Sequence, residues 1–188
     1  MKSKILITTS GIGSRLGEFT KFTNKTLVRV GEKPAISHII ESYPKDSIFY
    51  ITLGHFGDHV KSFLQIAYPY LEFVFIEVDK YDGRGSSLLY SMLKASDYLN
   101  TPFIFHTSDT IIRGFKHQAN LACSAVEFEN TIYGIKSKNH SSYSSFDVFG
   151  EYVSKMHHKG ELNTDYTHIG LIAVNDHEKF WNIARAIY

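Results

Sequence analysis

Lys4-Ile5-Leu6-Ile7-Thr8-Thr9-Ser10-Gly11-Ile12-Gly13-Ser14-Arg15-Leu16-Gly17 is the stretch that decides the fold. Its opening is a short apolar run, the pattern of a strand buried on both faces of a parallel sheet. The run breaks at two closely spaced glycines. With no Cβ in the way, backbone N–H groups in such a loop approach an anion closely. Arg15 follows two residues after Gly13, and its planar fork suits phosphate oxygens. The loop is neither the Gly-x-x-x-x-Gly-Lys-Ser/Thr of a P-loop nor the Gly-x-Gly-x-x-Gly of a dinucleotide-binding turn. On the glycines alone, a tight strand-to-helix turn with a solvated arginine is the simpler reading.

Outward from this loop the pattern repeats. Ser47–Leu53, Phe73–Val78 and Pro102–Asp109 read as further strands, and residues 35–42, His59–Tyr68 and Gly85–Tyr98 as helices, the first entered through Pro34. Alternation at this interval implies right-handed βαβ crossovers and an α/β fold: Rossmann-like, three layers α/β/α, with a mixed, centrally parallel sheet. Ligands of such sheets sit at the strand carboxyl ends. The Gly-rich loop, Gly54, the Gly83–Ser87 loop and Asp109 all fall there.

Beyond Asp109 the texture changes. Ser124–Ile135 and Phe146–Val153 alternate like antiparallel or mixed strands around a Ser-rich turn (Lys138–Ser145), and Thr167–Val174 is another apolar strand. Phe180–Tyr188 reads as an amphipathic helix that stops without a cap, as if the chain were truncated. One domain is expected, without repeats or a linker.

Composition narrows the function. With 188 residues, 43% of them hydrophobic and a net charge of +1, the chain is an ordinary globular protein with no basic field for nucleic acid. Ten histidines are scattered without metal-ligand spacing, and the single Cys123 excludes an internal disulfide and reads as a small buried residue. The sequence shows neither a membrane-length apolar run nor a signal peptide, so a cytoplasmic setting is expected. A monomer and a homo-oligomer both remain open.

Lys25 lies ten residues after Arg15. Two cations bracketing a glycine turn suit a triphosphate, whose charge must be offset before a nucleophile that is itself a phosphate can approach. Lys33 reads as a surface lysine. Gly11-Ile12-Gly13-Ser14-Arg15-Leu16, followed by Asn24-Lys25-Thr26-Leu27-Val28-Arg29-Val30-Gly31-Glu32-Lys33-Pro34, resembles the signature of the sugar-phosphate nucleotidyltransferase family. Departures are Thr8-Thr9 for two alanines, Ser10 for a smaller residue, and Asn24 and Thr26 around the lysine.

The resemblance implies roles. Ser10, Gly11, Gly13 and Ser14 would cradle a nucleoside triphosphate, with Arg15 and Lys25 as catalytic cations. Tyr81 to Ser91 is similar to the family's second glycine loop, in which Gly83, Gly85, Ser86 and Ser87 would meet base and ribose. Its Ser86-Ser87-Leu88 looks like the small bacterial phosphocholine-type cytidylyltransferases, so CTP is favoured. Asp109 would bind Mg²⁺, Lys159 the acceptor's phosphate, and Gly170 would lie in the acceptor strand, with His158 and Gly160 departing from the family's Glu-Lys-Pro. Residues 1–112 would be the nucleotide-binding half and 113–188 the acceptor-binding half. The family's second metal acid has no motif here, and Asp165 and Asp176 are the available substitutes.

The implied activity is transfer of a nucleoside monophosphate to a phosphorylated small molecule such as phosphocholine, phosphoglutamine or a sugar 1-phosphate, serving capsule or lipopolysaccharide precursors. Two rivals stand beside it: a non-catalytic nucleotide sensor, and a short-chain NAD(P)-dependent oxidoreductase suggested by Thr9–Gly13.

Overall fold

Side chains alternate across a strand, so a strand that is apolar throughout needs cover on both faces. In β1 (Lys4–Thr8) Ile5 and Ile7 turn to one face and Leu6 to the other, all three fully buried. The computed structural model describes residues 2–112, 129–136, 143–161 and 163–188. After β1 come a small hairpin of β2 (Arg29–Val30) and β3 (Lys33–Pro34), helix α1 (Ala35–Ile40), β4 (Ile48–Leu53) and α2 (Gly57–Ala67). Next are β5 (Glu72–Glu77), α3 (Leu88–Leu93), β6 (Phe103–Thr107), β7 (Thr131–Ile135), β8 (Ser145–Phe149), β9 (Tyr152–His157), β10 (Tyr166–Val174) and α4 (His177–Ile187).

The main sheet runs β5-β4-β1-β6-β10-β8-β9, with β7 on the other edge of β10. β1 pairs in parallel with β4 and β6, and β4 with β5, so four carboxyl ends open on one side. On one face, Ile36 and Ile39 of α1 and Val60 and Leu64 of α2 cover Ile5, Ile7, Phe49 and Ile51. On the other, Met92 of α3 and Trp181 and Ala184 of α4 cover Leu6, Tyr50, Phe103 and Phe105. Trp181 stacks on Phe103 at 5.2 Å and donates its indole N–H to the Leu99 carbonyl. This is the three-layer α/β/α arrangement with a mixed, centrally parallel sheet.

β10 runs antiparallel to β6 through Leu171–Val174, and its first residues pass beyond the β6 carboxyl end to pair with β8. The passage is bent. Between His168 and Ile172 the register against β7 shifts, with Gly170 at φ 78° in the middle. A Cβ at Gly170 would lie 2.3 Å from Thr107 Oγ1, so no other residue fits this close crossing.

Several element boundaries differ from the sequence expectation. Phe146–Val153 is not one strand: β8 and β9 meet at a turn over Gly150 (φ 64°). α3 is shorter than Gly85–Tyr98, because beyond Leu93 the chain tightens into turns such as Ala95 N–H to the Met92 carbonyl. β6 stops at Thr107, leaving Asp109 in a turn. α4 begins at His177, earlier than expected, because Asp176 caps it by accepting from the Lys179 N–H. Cys123 and most of the Ser-rich turn lie outside the described residues. Among those residues, no helix is long and apolar enough to cross a membrane.

Candidate active site

The chain leaves β1 through Thr9 and Ser10, both buried. Thr9 donates its hydroxyl to the Thr52 carbonyl of β4, and Ser10 Oγ meets Ser91 Oγ of α3 at 2.8 Å. The departures from the alanine-rich pattern therefore tie the loop to its neighbours. Gly13 then turns with φ 69°. A Cβ there would lie 2.9 Å from Lys25 Cβ, so this glycine lets the loop lie against the lysine.

Asn24 explains how Lys25 is held. Fully buried, its amide donates to the carbonyls of Thr9 (2.8 Å) and His55 (2.6 Å). Its Oδ1 accepts from the Thr26 N–H and hydroxyl, both at 2.9 Å, and caps the short 3-10 turn Lys25–Leu27. One side chain thus pins the lysine's turn to the ends of β1 and β4. Lys25 Nζ lies 3.8 Å from Asp109 Oδ2, with the two side chains 23% and 56% exposed. An ion pair so open contributes little stability; its meaning is that a cation and a carboxylate share one opening.

Two clefts meet at Lys25. The first, about 260 Å³, is lined by Ser10, Gly11, Ser86 and Ser87, with Thr8, Ile12, Tyr81, Leu88 and Ser91 completing it. The second, about 350 Å³, is lined by Gly13, Arg15, Ser108 and Asp109, together with Leu16, Val28, Val30, Ala35 and Ile111. Lys25 lines both. Arg15, Lys25 and Asp109 therefore converge, as do the two glycine loops, from segments nearly a hundred residues apart.

Other candidates sit elsewhere. Gly83 and Gly85 take positive φ (70° and 89°) in the exposed turn before α3 and line neither cleft. Ser86 donates to the Gly83 carbonyl and Ser87 caps α3 by accepting from the Tyr90 N–H, so both shape the loop as well as face the cleft. Ser14 is exposed at the start of a 3-10 segment, Lys159 is exposed in the turn after β9, and Gly170 packs on Thr107; none lines either cleft. Asp165 accepts from the Val148 N–H and Asp176 caps α4, so these acids serve local structure. Tyr90 and Lys94 show the Tyr-x-x-x-Lys spacing of short-chain oxidoreductases, yet both bind Asp79, outside the clefts. Sequence reasoning named Thr8, Tyr81 and Ser91 only as parts of the two loops, with no site role, and missed Ser108, which carries no motif of its own.

The donor set suits a hard divalent cation. Asp109 offers a half-exposed carboxylate, and beside it Ser108 Oγ is buried without a hydrogen-bond partner among the described residues. Among these residues no group of three or more His, Cys, Asp or Glu could hold a metal, so Mg²⁺ here would complete its shell with water and phosphate oxygens, as it commonly does.

Beneath Asp109 lies a neutral network. His106 is 2% exposed; the Tyr43 hydroxyl reaches its Nδ1 at 2.7 Å and its Nε2 meets the Thr110 carbonyl at 3.0 Å. A carbonyl only accepts, so Nε2 carries the proton and Nδ1 accepts from Tyr43. Burial pushes the His106 pKa down to about 4 and raises that of Tyr43 far above its ordinary value.

The architecture has known counterparts. A UDP-glucose pyrophosphorylase solved with UDP-glucose is similar at a TM-score of 0.80 and 16% identity, covering 98% of this chain and 80% of that one. A protein described as a glucose-1-phosphate thymidylyltransferase from Bacillus anthracis matches at 0.78 and 19%, over 99% and 76%. The CTP:phosphocholine cytidylyltransferase of Streptococcus pneumoniae matches at 0.75 and 21%, over 100% and 78%. The fold is thus that of the nucleotide-diphospho-sugar transferases. No protein-family model matches the chain, and a search of curated proteins finds no relative.

Proposed function

We propose that this chain is a nucleotidyltransferase that moves a nucleoside monophosphate from a triphosphate to a phosphorylated small molecule, releasing pyrophosphate. The observation that carries this reading is Lys25, shared by a cleft between two glycine loops and a cleft holding Arg15 and Asp109. The first cleft would take the nucleoside, with Tyr81 and Ser86–Ser87 beside the base. The phosphates would cross Lys25 towards Arg15. An ionised oxygen of the acceptor phosphate attacks the α-phosphorus, the bond to the β-phosphate oxygen breaks, and pyrophosphate departs. Lys25 and Arg15 neutralise charge on the transferring phosphates and hold them in line. Asp109, with Ser108 beside it, would hold Mg²⁺, which when bound supplies further charge neutralisation. The attacking group is already an anion, so the chain needs no nucleophile or general base of its own.

CTP is the favoured donor, on the Ser86-Ser87-Leu88 resemblance, with phosphocholine or phosphoglutamine as acceptor and capsule or lipopolysaccharide precursors as the destination. Lys159 is assigned to the acceptor's phosphate: the β8–β9 hairpin that carries it pairs with the part of β10 reaching past the β6 carboxyl end. A sugar 1-phosphate is the second reading, favoured by the likeness to UDP-glucose pyrophosphorylase.

A pyrophosphate-release assay with each nucleoside triphosphate and a panel of phosphorylated acceptors tests the proposal and separates it from a nucleotide sensor, which would bind without turnover. Lys25→Ala and Arg15→Ala should each lower kcat by about 10²–10³-fold, as removal of one preorganised donor does. Near-normal turnover in both variants would refute the mechanism.

A further inference from the structure

We propose that His106 is a positioning residue for Asp109, bracing the acid's turn from inside the core through the Thr110 carbonyl. The inference rests on the reading of Asp109 as the metal-holding acid.

Asp109 lies two residues beyond the end of β6, in a turn with a half-exposed side chain. Such a carboxylate would wander unless its backbone were fixed. The fixing comes from Thr110, held at its carbonyl and at its hydroxyl. Its carbonyl accepts from His106 Nε2 at 3.0 Å, and its hydroxyl donates to the Ile169 carbonyl of β10 at 2.6 Å. With that proton committed to β10, the Thr107 hydroxyl donates to Thr110 Oγ1 at 3.0 Å. The turn is therefore gripped from β6 and from β10 together.

His106 can brace in only one state. It must present N–H to Thr110, and the Tyr43 hydroxyl holds the other nitrogen as an acceptor at 2.7 Å. Tyr43 is itself 7% exposed and stands edge-on to the imidazole at 5.7 Å. A leucine could pack against the Tyr43 ring but would leave the buried Tyr43 hydroxyl without its acceptor. An imidazole makes two bonds there that leucine cannot, accepting from the Tyr43 hydroxyl and donating to the Thr110 carbonyl. Outer-shell partners of metal-holding groups commonly tune metal affinity by 10–100-fold.

His106→Leu removes the donor, His106→Gln keeps an N–H able to reach Thr110, and Tyr43→Phe removes only the hydroxyl from which Nδ1 accepts. Mn²⁺ binding in the presence of a non-hydrolysable CTP analogue, followed by electron paramagnetic resonance, reads the turn without turnover. His106→Leu should weaken Mn²⁺ binding by about tenfold, and His106→Gln should return it to within about threefold of wild type. The metal concentration for half-maximal activity should move in parallel, while KM for the triphosphate at saturating metal stays within about twofold. In ¹⁵N-resolved spectra the imidazole should carry its proton on Nε2 in the wild type and in Tyr43→Phe alike, because the Thr110 carbonyl only accepts; a proton on Nδ1 would overturn the brace.

Equal Mn²⁺ affinity in wild type and His106→Leu would overturn the brace while leaving the proposed activity intact. So would a loss in His106→Leu that His106→Gln fails to recover and that tracks thermal stability. Absence of triphosphate-dependent Mn²⁺ binding in the wild type, or unchanged binding in Asp109→Ala, would overturn the underlying reading and the brace with it.

Discussion

His106 and His157 each stand between two polar partners, yet they hold the two halves of the molecule by opposite means. In the parallel half, His106 meets a hydroxyl and a carbonyl, and burial depresses its pKa to about 4. In the antiparallel extension, His157 meets Glu161 Oε2 and Asp147 Oδ2, each at 2.7 Å, and these carboxylates raise its pKa. The two carboxyl pKa values are lowered in turn by the imidazole. The interior of the parallel half keeps its shape by packing and neutral hydrogen bonds, with its ion pairs left at the surface, as a core sealed by helices on both faces must. The β8–β9 hairpin leaves Phe149, Tyr152 and Met156 exposed and closes its end with charge.

The comparison makes distinct predictions for the two halves. Gly170 is where they join, so Gly170→Val should have the largest effect: about 4 kcal/mol of lost stability in denaturant unfolding, from positive φ and collision with Thr107 together. If the junction were loose, the loss would fall below 1 kcal/mol, about the size of an ordinary surface change.

Acid should separate the histidines. Between pH 6.5 and about 4 the unfolded chain binds a proton that folded His106 refuses, so stability falls as pH falls, by about 3 kcal/mol across the window. His106→Leu should lose this slope in denaturant unfolding at pH 7 and pH 4.5; an unchanged slope would mean that His106 is already charged in the fold.

Asn24→Ala removes four hydrogen bonds from a fully buried site and should cost about 2 kcal/mol. Asn24→Asp, which cannot donate to the two carbonyls, should do no better in the same measurement.

The smallest effect belongs to the hairpin. The His157 contribution is full below the ordinary imidazole pKa and fades as pH rises through its raised value. Those of Asp147 and Glu161 are full above the ordinary carboxyl values and fade as pH falls through their lowered ones. A histidine-resolved NMR titration should find His157 titrating above the ordinary imidazole range, and an ordinary or depressed midpoint would break the contrast with His106.

Much of the parallel half was legible. Lys4–Thr9 and Ser47–Leu53 are apolar on both faces, and two glycines close the first strand, so local pattern and tertiary need agree. Arg15 and Lys25 were readable as candidates because two cations bracket a glycine turn, and Asp109 because it falls at the carboxyl end of an apolar strand. The extension was read less well. The turn at Gly150 lies inside a run of strand-forming residues, and its sharpness comes from cross-strand pairing that periodicity does not encode. Lys159 and Gly170 were grouped by resemblance alone; Lys159 is an exposed turn residue, and Gly170 packs against Thr107, a contact that no local pattern encodes.

By itself, the sequence determined the layering: where apolar strands need cover, where glycine must turn, and on which side of the sheet the polar loops gather. Only the tertiary structure decided that Lys25 faces two clefts, that Asn24 pins it, and that His106 reaches the turn of Asp109 while Tyr43 holds its other nitrogen. The reason is physical. Layering follows from near-neighbour periodicity, but the direction and protonation of a buried polar group depend on partners brought from distant segments by the packing.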